Sequence, residues 1–535
     1  MVPLFLLFYL NVQSITADSF TSLVHLQQSI DAESDIVSYI NTYVRAEFDR
    51  LAQLEGLAVE LADHHKLLKK GNTERHLSNP VNAFLLTRQM HDLVSDSVDL
   101  IESKSQGNTV KYMQSTESLR SRLPSKDDMD GAVLALLRLQ DTYSLNTSQL
   151  SDSNLGLSSP ADEAPPLSGD DCFKIGQTAF LMDDFYHSVL WFQTALEKYE
   201  MLDGSLQWVQ RKLTSTFDYL NFSLYKQGNI ERAISIATRW TEIAPGAQPG
   251  TDNLYHYRNE LNETGRLYDP YNLPPLQNQQ LVTGFAATQE FKKYTKLCQG
   301  QQLPKSSRNS KQLVCKYRPI QFSYFPSEEE ELHLEPRLVY IHRIISDREI
   351  QVVQALAKPK LDRSGVFATN AATPLGGIKT HTRVSKSAWL GDEEDETIAL
   401  LSRRFARVTG LTVGTAESLQ VLNYGIGGHY EPHCDFARPD NPNVFDHGVG
   451  NRIATLILYL TDVEKGGATV FPRLEAAVWP LKGGAAFWYN LDENGALDER
   501  TLHGACPVLA GYKWVCNKWF HESGNEFTRP CPASS

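Results

Sequence analysis

The sequence has no run rich in lysine or arginine from which a basic face could be built. It carries 51 Lys and Arg against 64 Asp and Glu, a formal net charge of −13. Nucleic-acid binding depends on clustered cations that neutralise phosphates, so this balance argues against that class of protein. The length of 535 residues and the hydrophobic fraction of 41% predict a folded chain of about three domains.

Long apolar segments are missing as well. The N-terminal stretch MVPLFLLFYLNVQSITADSF is apolar only from Val2 to Val12, which is too short to span a bilayer. It lacks a positive n-region, but the short apolar run followed by Ala17 predicts a cleaved secretory signal over residues 1–17. A buried N-terminal helix is the alternative. No later segment predicts a membrane span, and the final RPCPASS is not a retention tetrapeptide.

Cysteine is scarce, with seven residues in the chain. A secretory chain enters an oxidising compartment in which cysteines pair, and the odd number leaves at least one unpaired. Cys298 and Cys315 lie close enough in sequence to close a loop. Sequons at Asn146, Asn221 and Asn262 predict N-glycosylation, which is consistent with a luminal location.

Residues 19 to about 65 carry a heptad pattern with two seam positions. The first seam position is occupied by Leu23, Ile30, Val37, Val44, Leu51 and Ala58. The second is occupied by Leu26, Glu33, Ile40, Glu47, Leu54 and Leu61. A stripe with this spacing faces a partner helix, although the two glutamates weaken it. We expect a helical, coiled-coil dimerisation region over 18–150, with an amphipathic helix packed on its own domain as the alternative.

Residues 151–165 are rich in Ser, Pro and Asp and predict a linker. Two segments, 172–200 and 217–245, then fit a helix–turn–helix with small residues where the helices cross. This pattern resembles the tetratricopeptide repeat, with an insertion near 200–211. Because such repeats build concave grooves, we expect an all-α peptide-substrate-binding domain over 166–265.

Aromatic residues cluster in this predicted domain. The set comprises Phe185, Tyr186, Trp191, Tyr219, Phe222, Tyr225, Tyr255 and Tyr257. Most are expected to pack between helices, but as a set some should line a groove. Aromatic grooves suit proline-rich peptides, whose polyproline II shape loses little entropy on binding.

The C-terminal part of the chain changes character. Residues 266–330 are irregular and predict a linker region, while 331–535 contains short strands separated by Gly and Pro. Helical patterns at 346–360 and 392–409 precede most of these strands. We expect a β-sandwich or double-sheet jelly roll, and therefore a multidomain α + β protein.

The stretch HYEPHCDFA, residues 429–437, concentrates metal-ligand chemistry. On a strand, His433 and Asp435 share a face and Cys434 points away. With the distant His503 they match a 2-His-1-carboxylate triad, which leaves open positions on Fe(II) for a 2-oxo acid and dioxygen. Lys513 follows at a spacing that allows it to pair with the far, buried carboxylate of that acid.

Other readings of the same residues are weaker. A zinc site is disfavoured because no further His or Cys falls in finger-like spacing. His429, His447 and His521 are expected not to be ligands, and Pro432 interrupts the strand between His429 and His433. A nucleophilic Cys434 would need an oriented base, and its side chain faces away from the histidines.

Several stretches carry a family resemblance that covers nearly the whole chain. They are NYGIGGHYEPHCDFAR, GNRIATLILYLTDVEKGGATVFP, GAAFWYNL, HGACPV and GYKWVCNKW. They resemble the α subunits of collagen prolyl 4-hydroxylases, which implies a C-terminal double-stranded β-helix (jelly-roll) dioxygenase domain. The resemblance implies that Fe(II), 2-oxoglutarate, O2 and L-ascorbate take part in hydroxylating proline at C4 in X-Pro-Gly peptides of procollagen.

The resemblance also implies roles for single residues. His433, Asp435 and His503 would hold iron, and Lys513 would bind the distal carboxylate of 2-oxoglutarate. The co-substrate would also receive hydrogen bonds from Tyr424 and Thr455. Disulfides would join Cys298 to Cys315 and Cys506 to Cys531. Peptide binding would involve Tyr219, Tyr225, Phe180 and Phe222.

An α2β2 tetramer is a further implication, with protein disulfide isomerase as the β subunit. That partner would carry the retention signal and keep the enzyme in the lumen of the endoplasmic reticulum.

The sequence departs from the family pattern at several positions. Cys434 replaces an aromatic residue between two ligands, and Cys516 replaces a small polar one; the two could pair, stay reduced or be neutral. Phe180, Phe222 and His256 stand where the family has tyrosines. The stacking face of a phenylalanine remains but the hydroxyl is lost, so peptide preference is expected to differ.

Two alternatives remain open at the level of sequence. A lysyl hydroxylase or an oxygen-sensing prolyl hydroxylase would usually place arginine where Lys513 stands. The other alternative is a non-catalytic chaperone subunit that binds proline-rich peptides, with an inactive oxygenase domain. The presence of all four key residues argues against it.

Overall fold

The structure is a computed structural model, described for helical positions between 27 and 66 and for the ranges that follow. These are 77–102, 124–155, 164–301, 313–320, 326–365, 382–425, 427–438 and 448–529. Two compact units result: one joins the residues up to Ala135 with those from Gln289 onward, and the other spans Leu136–Thr288. Among the residues described, no helix combines the length and apolar character needed to cross a membrane. The predicted signal segment, residues 1–17, lies outside the described part.

The N-terminal residues are helical wherever the structure describes them. Ile30, Glu33, Val37 and Ala58, the seam positions within the described part, all lie in helix, and all but Val37 are buried. Helices α1 (Pro80–Glu102) and α2 (Lys126–Tyr143) follow. Self-association through a coiled coil stays a prediction.

Helices also dominate the second unit. They are α3 (Thr147–Ser151), α4 (Gly169–Leu181), α5 (Phe185–Glu200), α6 (Gln207–Lys226), α7 (Ile230–Ile243) and α8 (Gln248–Glu263). Local chemistry sets their starts: Ser168 caps α4 in a reciprocal pair with Asp171, and Asp184 caps α5 by accepting from His187 N at 3.1 Å.

The helices of this unit pack as the repeat pattern predicts. A Cβ on Gly176 would lie 3.0 Å from the Phe192 ring, so α4 and α5 approach closely only because a glycine is there. Gly228, with φ of +81°, forms the turn between α6 and α7. The extra residues near 200–211 form a loop and the first turn of α6.

The first unit is built on antiparallel sheets. Its strands are β1 (Cys315–Arg318), β2 (Ser327–His333), β3 (Leu338–His342), β4 (Asp362–Arg363), β5 (Lys386–Leu390), β6 (Leu419–Tyr424), β7 (Tyr430–His433), β8 (Arg452–Tyr459), β9 (Lys465–Gly466), β10 (Thr469–Phe471), β11 (Ala476–Val478), β12 (Ala485–Tyr489), β13 (His503–Ala505), β14 (Val508–Ala510) and β15 (Lys513–His521). A nine-stranded sheet has the order β1-β2-β3-β12-β8-β15-β6-β5-β4, and a four-stranded sheet has the order β11-β10-β13-β7. The helices of this part are α9 (Gln289–Cys298), α10 (Asp347–Ala357) and α11 (Glu396–Thr409).

The large sheet is covered on both faces, so its central strands are buried throughout. On β8, Leu456 and Leu458 join a core with residues of α10 and α11 such as Val353 and Phe405. The alternate residue Ile457 joins a second core with residues of the small sheet. Because side chains alternate along a strand, one strand serves both layers. The uninterrupted apolar run of β8 follows from this double burial.

The predicted linker 266–330 is wrong in part. The structure places α9 and β1 within it. Helix α9 is amphipathic and buries Tyr294, Leu297 and Cys298. The short helical period was hidden in an otherwise polar segment, which made the sequence appear irregular.

The structure also contradicts the disulfides that the resemblance implied. It joins Cys298, at the end of α9, to Cys506, which directly follows β13. Cys315 is exposed and unpaired in β1. Cys531 lies outside the described residues.

The packing of α9 gives the physical reason for this pairing. The Tyr294 hydroxyl donates to the carbonyl of Ala505, the last residue of β13, at 3.0 Å. This contact brings the end of α9 to the residue that follows Ala505. Spacing along the chain could not show that neighbour, because 208 residues separate the two cysteines.

Candidate metal centre

The three predicted ligands converge at one point between the two sheets. One donor atom from each of His433, Asp435 and His503 lies within 4.8 Å of the others. His433 Nε2 is 3.6 Å from Asp435 Oδ1, and His503 Nε2 is 3.6 Å from Asp435 Oδ2. No other group of this kind occurs among the described residues. The donor set suits a divalent transition metal such as Fe(II).

Strand pairing explains how the distant histidine reaches the others. Strands β7 and β13 are antiparallel, and His503 stands directly opposite His433 with ring centroids 4.5 Å apart. Strand β7 ends at His433, and Asp435 lies in a bend just beyond it. The prediction that both share a strand face is therefore wrong in its geometry, although the two side chains do meet.

Backbone carbonyls orient both imidazoles. His433 Nδ1 lies 2.8 Å from the carbonyl oxygen of Glu431, and His503 Nδ1 lies 3.0 Å from that of Thr501. A carbonyl can only accept, so Nδ1 carries the proton in each ring. The lone pair of Nε2 is left to face the site, as a metal ligand requires.

The environment keeps the ligands in the states that bind a metal. Burial lowers the pKa of His503 to about 4, so the ring is neutral. Burial raises the pKa of Asp435, but attraction to positive charge, on the two imidazoles when they are protonated and on Arg452, holds it well below its ordinary value. A neutral His503 and a carboxylate are the forms that coordinate a divalent ion.

Thr455 does not take the position expected of a co-substrate ligand. Its hydroxyl donates to Asp435 Oδ2 at 2.7 Å. The threonine that lines the pocket is Thr469, whose hydroxyl accepts from Tyr459 at 2.9 Å. Both threonines lie in apolar strand segments, so the sequence offered no signal to distinguish them.

Lys513 is buried in the same pocket. Its ammonium lies 5.2 Å from the centre of the Tyr424 ring and 6.0 Å from that of Tyr459. Within the described part of the chain no carboxylate pairs with it, and burial lowers its pKa to about 7. A buried lysine facing open space needs an anion from a ligand.

The hydroxyl of Thr461 fixes the backbone on both sides of Lys513. It donates to the carbonyl of Tyr512 and accepts from the amide of Trp514, each at 3.0 Å. The turn before the lysine is held by Gly511, whose amide donates to the carbonyl of Ser78 at 2.7 Å. The start of β15 is thus clamped from two directions.

The two unusual cysteines do not pair with each other. Cys434 and Cys516 are both unpaired. Cys516 belongs to the core on the helix side of β15, away from the metal centre. Burial raises the pKa of the Cys434 thiol to about 12, which rules out a thiolate nucleophile at neutral pH.

Of the three histidines expected not to be ligands, the two that the structure describes, His429 and His521, do not belong to the metal-ligand group. His521 is near Glu417 Oε1 at 3.1 Å and the Gly450 carbonyl at 2.7 Å. His429 is buried. His447 lies outside the described residues.

The four predicted peptide-binding aromatics also come together, in the second unit. Phe180 lies 4.9 Å from Tyr219 and 5.6 Å from Phe222 between ring centroids, and Phe222 lies 6.4 Å from Tyr225. All four are partly exposed. The Lys226 ammonium lies over the Phe222 ring at 5.3 Å. A partly exposed row of rings can bind an apolar, extended ligand.

His256 extends this aromatic row. Its ring is 5.6 Å from that of Tyr225. The Tyr225 hydroxyl donates to Glu260 Oε2 at 2.8 Å, and His256 Nε2 lies 3.6 Å from the same oxygen.

One of the three predicted glycosylation sites is contradicted. Asn221 is fully buried, and its side-chain oxygen accepts from Asn253 at 3.2 Å and from Tyr257 at 3.0 Å. A glycan cannot occupy such a position in the folded unit. Asn146 and Asn262 are exposed and stay predictions.

Two facing antiparallel sheets carry two imidazoles whose Nε2 atoms face the site, one carboxylate, and a buried lysine that has no carboxylate partner among the described residues. This arrangement defines the class of non-haem iron oxygenases that use a 2-oxo acid.

Comparisons with known proteins agree with this class. Residues 419–521 match the 2OG-Fe(II) oxygenase superfamily. Residues 22–156 match the N-terminal region of the prolyl 4-hydroxylase alpha-subunit, and residues 169–263 match the prolyl 4-hydroxylase peptide-substrate-binding domain.

Individual relatives cover almost the whole chain. Prolyl 4-hydroxylase subunit alpha-1 of Mus musculus is 39% identical over 96% of both chains, and that of Homo sapiens is 38% identical over the same shares. Subunit alpha-2 of Caenorhabditis elegans is 39% identical over 96% of this chain and 93% of its own. The chain belongs to the family of prolyl 4-hydroxylase α subunits. It is a 2-oxoglutarate- and Fe(II)-dependent dioxygenase that hydroxylates proline at C4.

A solved viral collagen prolyl hydroxylase from Paramecium bursaria Chlorella virus-1, in complex with 2OG, is 27% identical. The match covers 34% of this chain and 95% of that one, with a TM-score of 0.27.

Proposed function

We propose that His433, Asp435 and His503 hold Fe(II) and that Lys513 binds the distal carboxylate of 2-oxoglutarate. The carrying observation is the convergence of these donors beside a buried lysine that no carboxylate of the described chain neutralises. The two facing sheets correspond to a double-stranded β-helix. The natural substrate class is X-Pro-Gly segments of procollagen or other proline-rich chains.

Tyr424 and Thr469 complete the co-substrate pocket in this proposal. Tyr424 stands opposite Lys513 in the β6–β15 pairing, and both line the cavity together with Thr469. Burial raises the pKa of Tyr424 to about 12, so its hydroxyl stays protonated and can donate to a carboxylate. Thr469 replaces Thr455 in the role that the resemblance implied.

The pocket residues act by orientation and by excluding water. When bound, ferrous iron supplies the redox chemistry that divides dioxygen between succinate, formed with loss of CO2, and the C4–H bond of proline. The cation of Lys513 would hold the distal carboxylate of the 2-oxo acid. The 2-oxo end of the acid would then face the metal that the three ligands hold. The dry, buried site strengthens that contact.

The second unit supplies peptide binding in this proposal. Phe180, Tyr219, Phe222 and Tyr225 present partly exposed rings in one row. Proline rings stack on such faces, and an extended polyproline II chain needs little ordering. The row lacks tyrosine hydroxyls at Phe180 and Phe222, so binding relies on ring faces there.

The assembly and location proposed here follow from the family. An α2β2 tetramer with protein disulfide isomerase as β subunit would retain the enzyme in the lumen of the endoplasmic reticulum, after removal of residues 1–17. L-ascorbate would re-reduce iron oxidised in uncoupled turnovers. Glycans would be carried by Asn146 and Asn262, whose side chains are exposed.

The direct test offers (Pro-Pro-Gly) repeats to the full chain co-expressed with protein disulfide isomerase. We expect mass spectrometry to show added oxygen on prolines and one succinate for each. A lysine-containing collagen peptide without X-Pro-Gly serves as the control for a lysyl hydroxylase. Peptide binding without succinate would identify a chaperone subunit instead and would reject the catalytic proposal.

A further inference from the structure

A chain of buried hydrogen bonds leads from the large sheet to one metal-ligand candidate. Trp488 Nε1 donates to Asn490 Oδ1 at 2.9 Å, and Asn490 Nδ2 donates to Thr455 Oγ1 at 2.9 Å. Thr455 in turn donates to Asp435 Oδ2 at 2.7 Å. Trp488, Asn490 and Thr455 are each fully buried, so no solvent competes for these bonds.

Trp488 sets the donor-to-acceptor direction of this hydrogen-bond chain. An indole N–H can only donate, so the Asn490 oxygen must face Trp488. The amide nitrogen of Asn490 is then the group that faces Thr455, and it can only donate. Because the threonine oxygen already accepts one bond, its own proton is available to Asp435. Every donor therefore points towards the carboxylate.

The two oxygens of Asp435 end up in different situations. Each oxygen lies 3.6 Å from one imidazole, Oδ1 from His433 Nε2 and Oδ2 from His503 Nε2, but Oδ2 in addition accepts the hydrogen bond from the Thr455 hydroxyl. A carboxylate held in this way offers one oxygen to a metal. That matters here, because a second coordinating oxygen would take a position that the 2-oxo acid and dioxygen need.

We propose that Trp488, Asn490 and Thr455 are positioning residues that hold Asp435 as a one-oxygen ligand of the metal. This inference rests on the ligand assignment of the proposed function. Hydrogen-bonded partners that orient a ligand typically contribute 10- to 100-fold, by order of magnitude, to metal affinity. None of the three is a metal ligand in this proposal: Thr455 and Asn490 act through Asp435, and Trp488 also packs its ring against His503, with 4.7 Å between ring centroids.

The test measures Mn(II) binding by calorimetry to the metal-free full chain, co-expressed with protein disulfide isomerase. Thr455→Val keeps the side-chain shape and removes the hydroxyl, and we expect roughly 10- to 100-fold weaker binding. Thr455→Ser restores the hydroxyl and should bind nearly as the wild type. Asn490→Leu should show a smaller loss, because Thr455 is then free to turn.

Non-additivity separates a relay from general damage. The double variant Thr455→Val, Asn490→Leu should bind Mn(II) no more weakly than Thr455→Val alone, since residues in one hydrogen-bond chain do not act independently. Thr216→Val is the matched control: it removes another buried threonine hydroxyl, which donates to the carbonyl of Lys212 at 2.8 Å within α6 of the second unit. Its Mn(II) affinity should equal that of the wild type.

The outcomes distinguish this inference from the ligand assignment. Asp435→Ala should lose Mn(II) binding altogether; if it binds normally, the ligand assignment itself fails. If Asp435→Ala loses the metal while Thr455→Val and Asn490→Leu bind like the wild type, only the relay is overturned. Should Thr455→Val not fold, as judged by thermal unfolding, Asn490→Leu alone decides: unchanged Mn(II) affinity rejects the relay.

Discussion

The candidate metal centre and the aromatic row of the second unit are two proposed binding sites built in opposite ways. At the metal centre Asp435 and His503 are buried, the two imidazoles each donate to a backbone carbonyl, and Asp435 accepts from the Thr455 hydroxyl. The rings of the aromatic row are partly exposed and contact one another and further aromatic rings of the same unit. The first site depends on a few individual donor atoms, and the second depends on a surface to which several rings contribute.

The difference fits what each site is proposed to bind. A metal ion and a small dicarboxylate require fixed geometry in a dry pocket, where one misplaced donor is costly. A proline-rich peptide presents repeated apolar faces, and no single ring contact dominates. Substitutions at the metal centre should therefore remove its function almost completely, whereas substitutions in the aromatic row should weaken peptide binding gradually. A substitution at one site should not affect binding at the other.

The largest effect is expected at the ligands themselves. His433→Ala or Asp435→Ala removes a metal donor, so succinate formation should fall by more than about 100-fold. This loss is larger than the loss expected on removing a residue that only orients a ligand. Peptide affinity, measured by calorimetry on the same protein, should be nearly unchanged. Full activity in either variant would contradict the ligand assignment.

The next largest effect is expected at Lys513. Lys513→Ala leaves the distal carboxylate of 2-oxoglutarate buried without a cation, and such a loss is worth about 3–5 kcal/mol. The KM for 2-oxoglutarate should rise on the order of 100-fold or more, while the KM for peptide changes little. Equal changes in the two constants would argue against a direct contact with the co-substrate.

The same lysine predicts a pH dependence. Burial lowers its pKa to about 7 in the free pocket, and only the protonated form attracts the carboxylate. As pH rises above 7 the free pocket becomes neutral, so binding must first take up a proton. The KM for 2-oxoglutarate should then rise by up to about tenfold per pH unit.

Lys513→Arg is the control for this pH dependence. Arginine stays charged throughout this range, so its KM for 2-oxoglutarate should be flat between about pH 6.5 and pH 8.5, whatever its absolute value. A wild-type KM that does not change over the same interval would show that Lys513 is charged in the free enzyme.

The smallest effect is expected in the aromatic row. Phe222 contacts Phe180, Phe185 and Tyr225, and such ring contacts are worth about 0.5–1.5 kcal/mol. Phe222→Ala should weaken binding of (Pro-Pro-Gly) repeats by about 2- to 10-fold and leave Mn(II) affinity unchanged.

Trp208→Ala is a suitable comparison for Phe222→Ala. Trp208 is 45% exposed and makes no ring contact with the row among those described. Its removal should not alter peptide affinity. Equal losses in both variants would show that the second unit binds peptide elsewhere.

The sequence predicted the identities of the candidate ligands and of the lysine better than it predicted the contacts around them. The identities of His433, Asp435, His503 and Lys513 could be predicted from spacing, because His-x-Asp, a distant histidine and a lysine ten residues beyond it form a recognisable pattern. Their mutual geometry could not, since Asp435 turned out to lie past the end of β7. Its carboxylate accepts a hydrogen bond from Thr455, which stands on β8 of the nine-stranded sheet.

The amino-acid sequence by itself determined the division into helical and sheet-rich parts and identified the three candidate metal ligands and the lysine beside them. These are properties of local periodicity and side-chain chemistry, which do not depend on distant neighbours. Tertiary structure alone decided that Cys298 pairs with Cys506, that Asn221 is buried and that Thr469 rather than Thr455 lines the pocket. Each of these is a contact between elements far apart in the chain, and only packing selects which residue meets which.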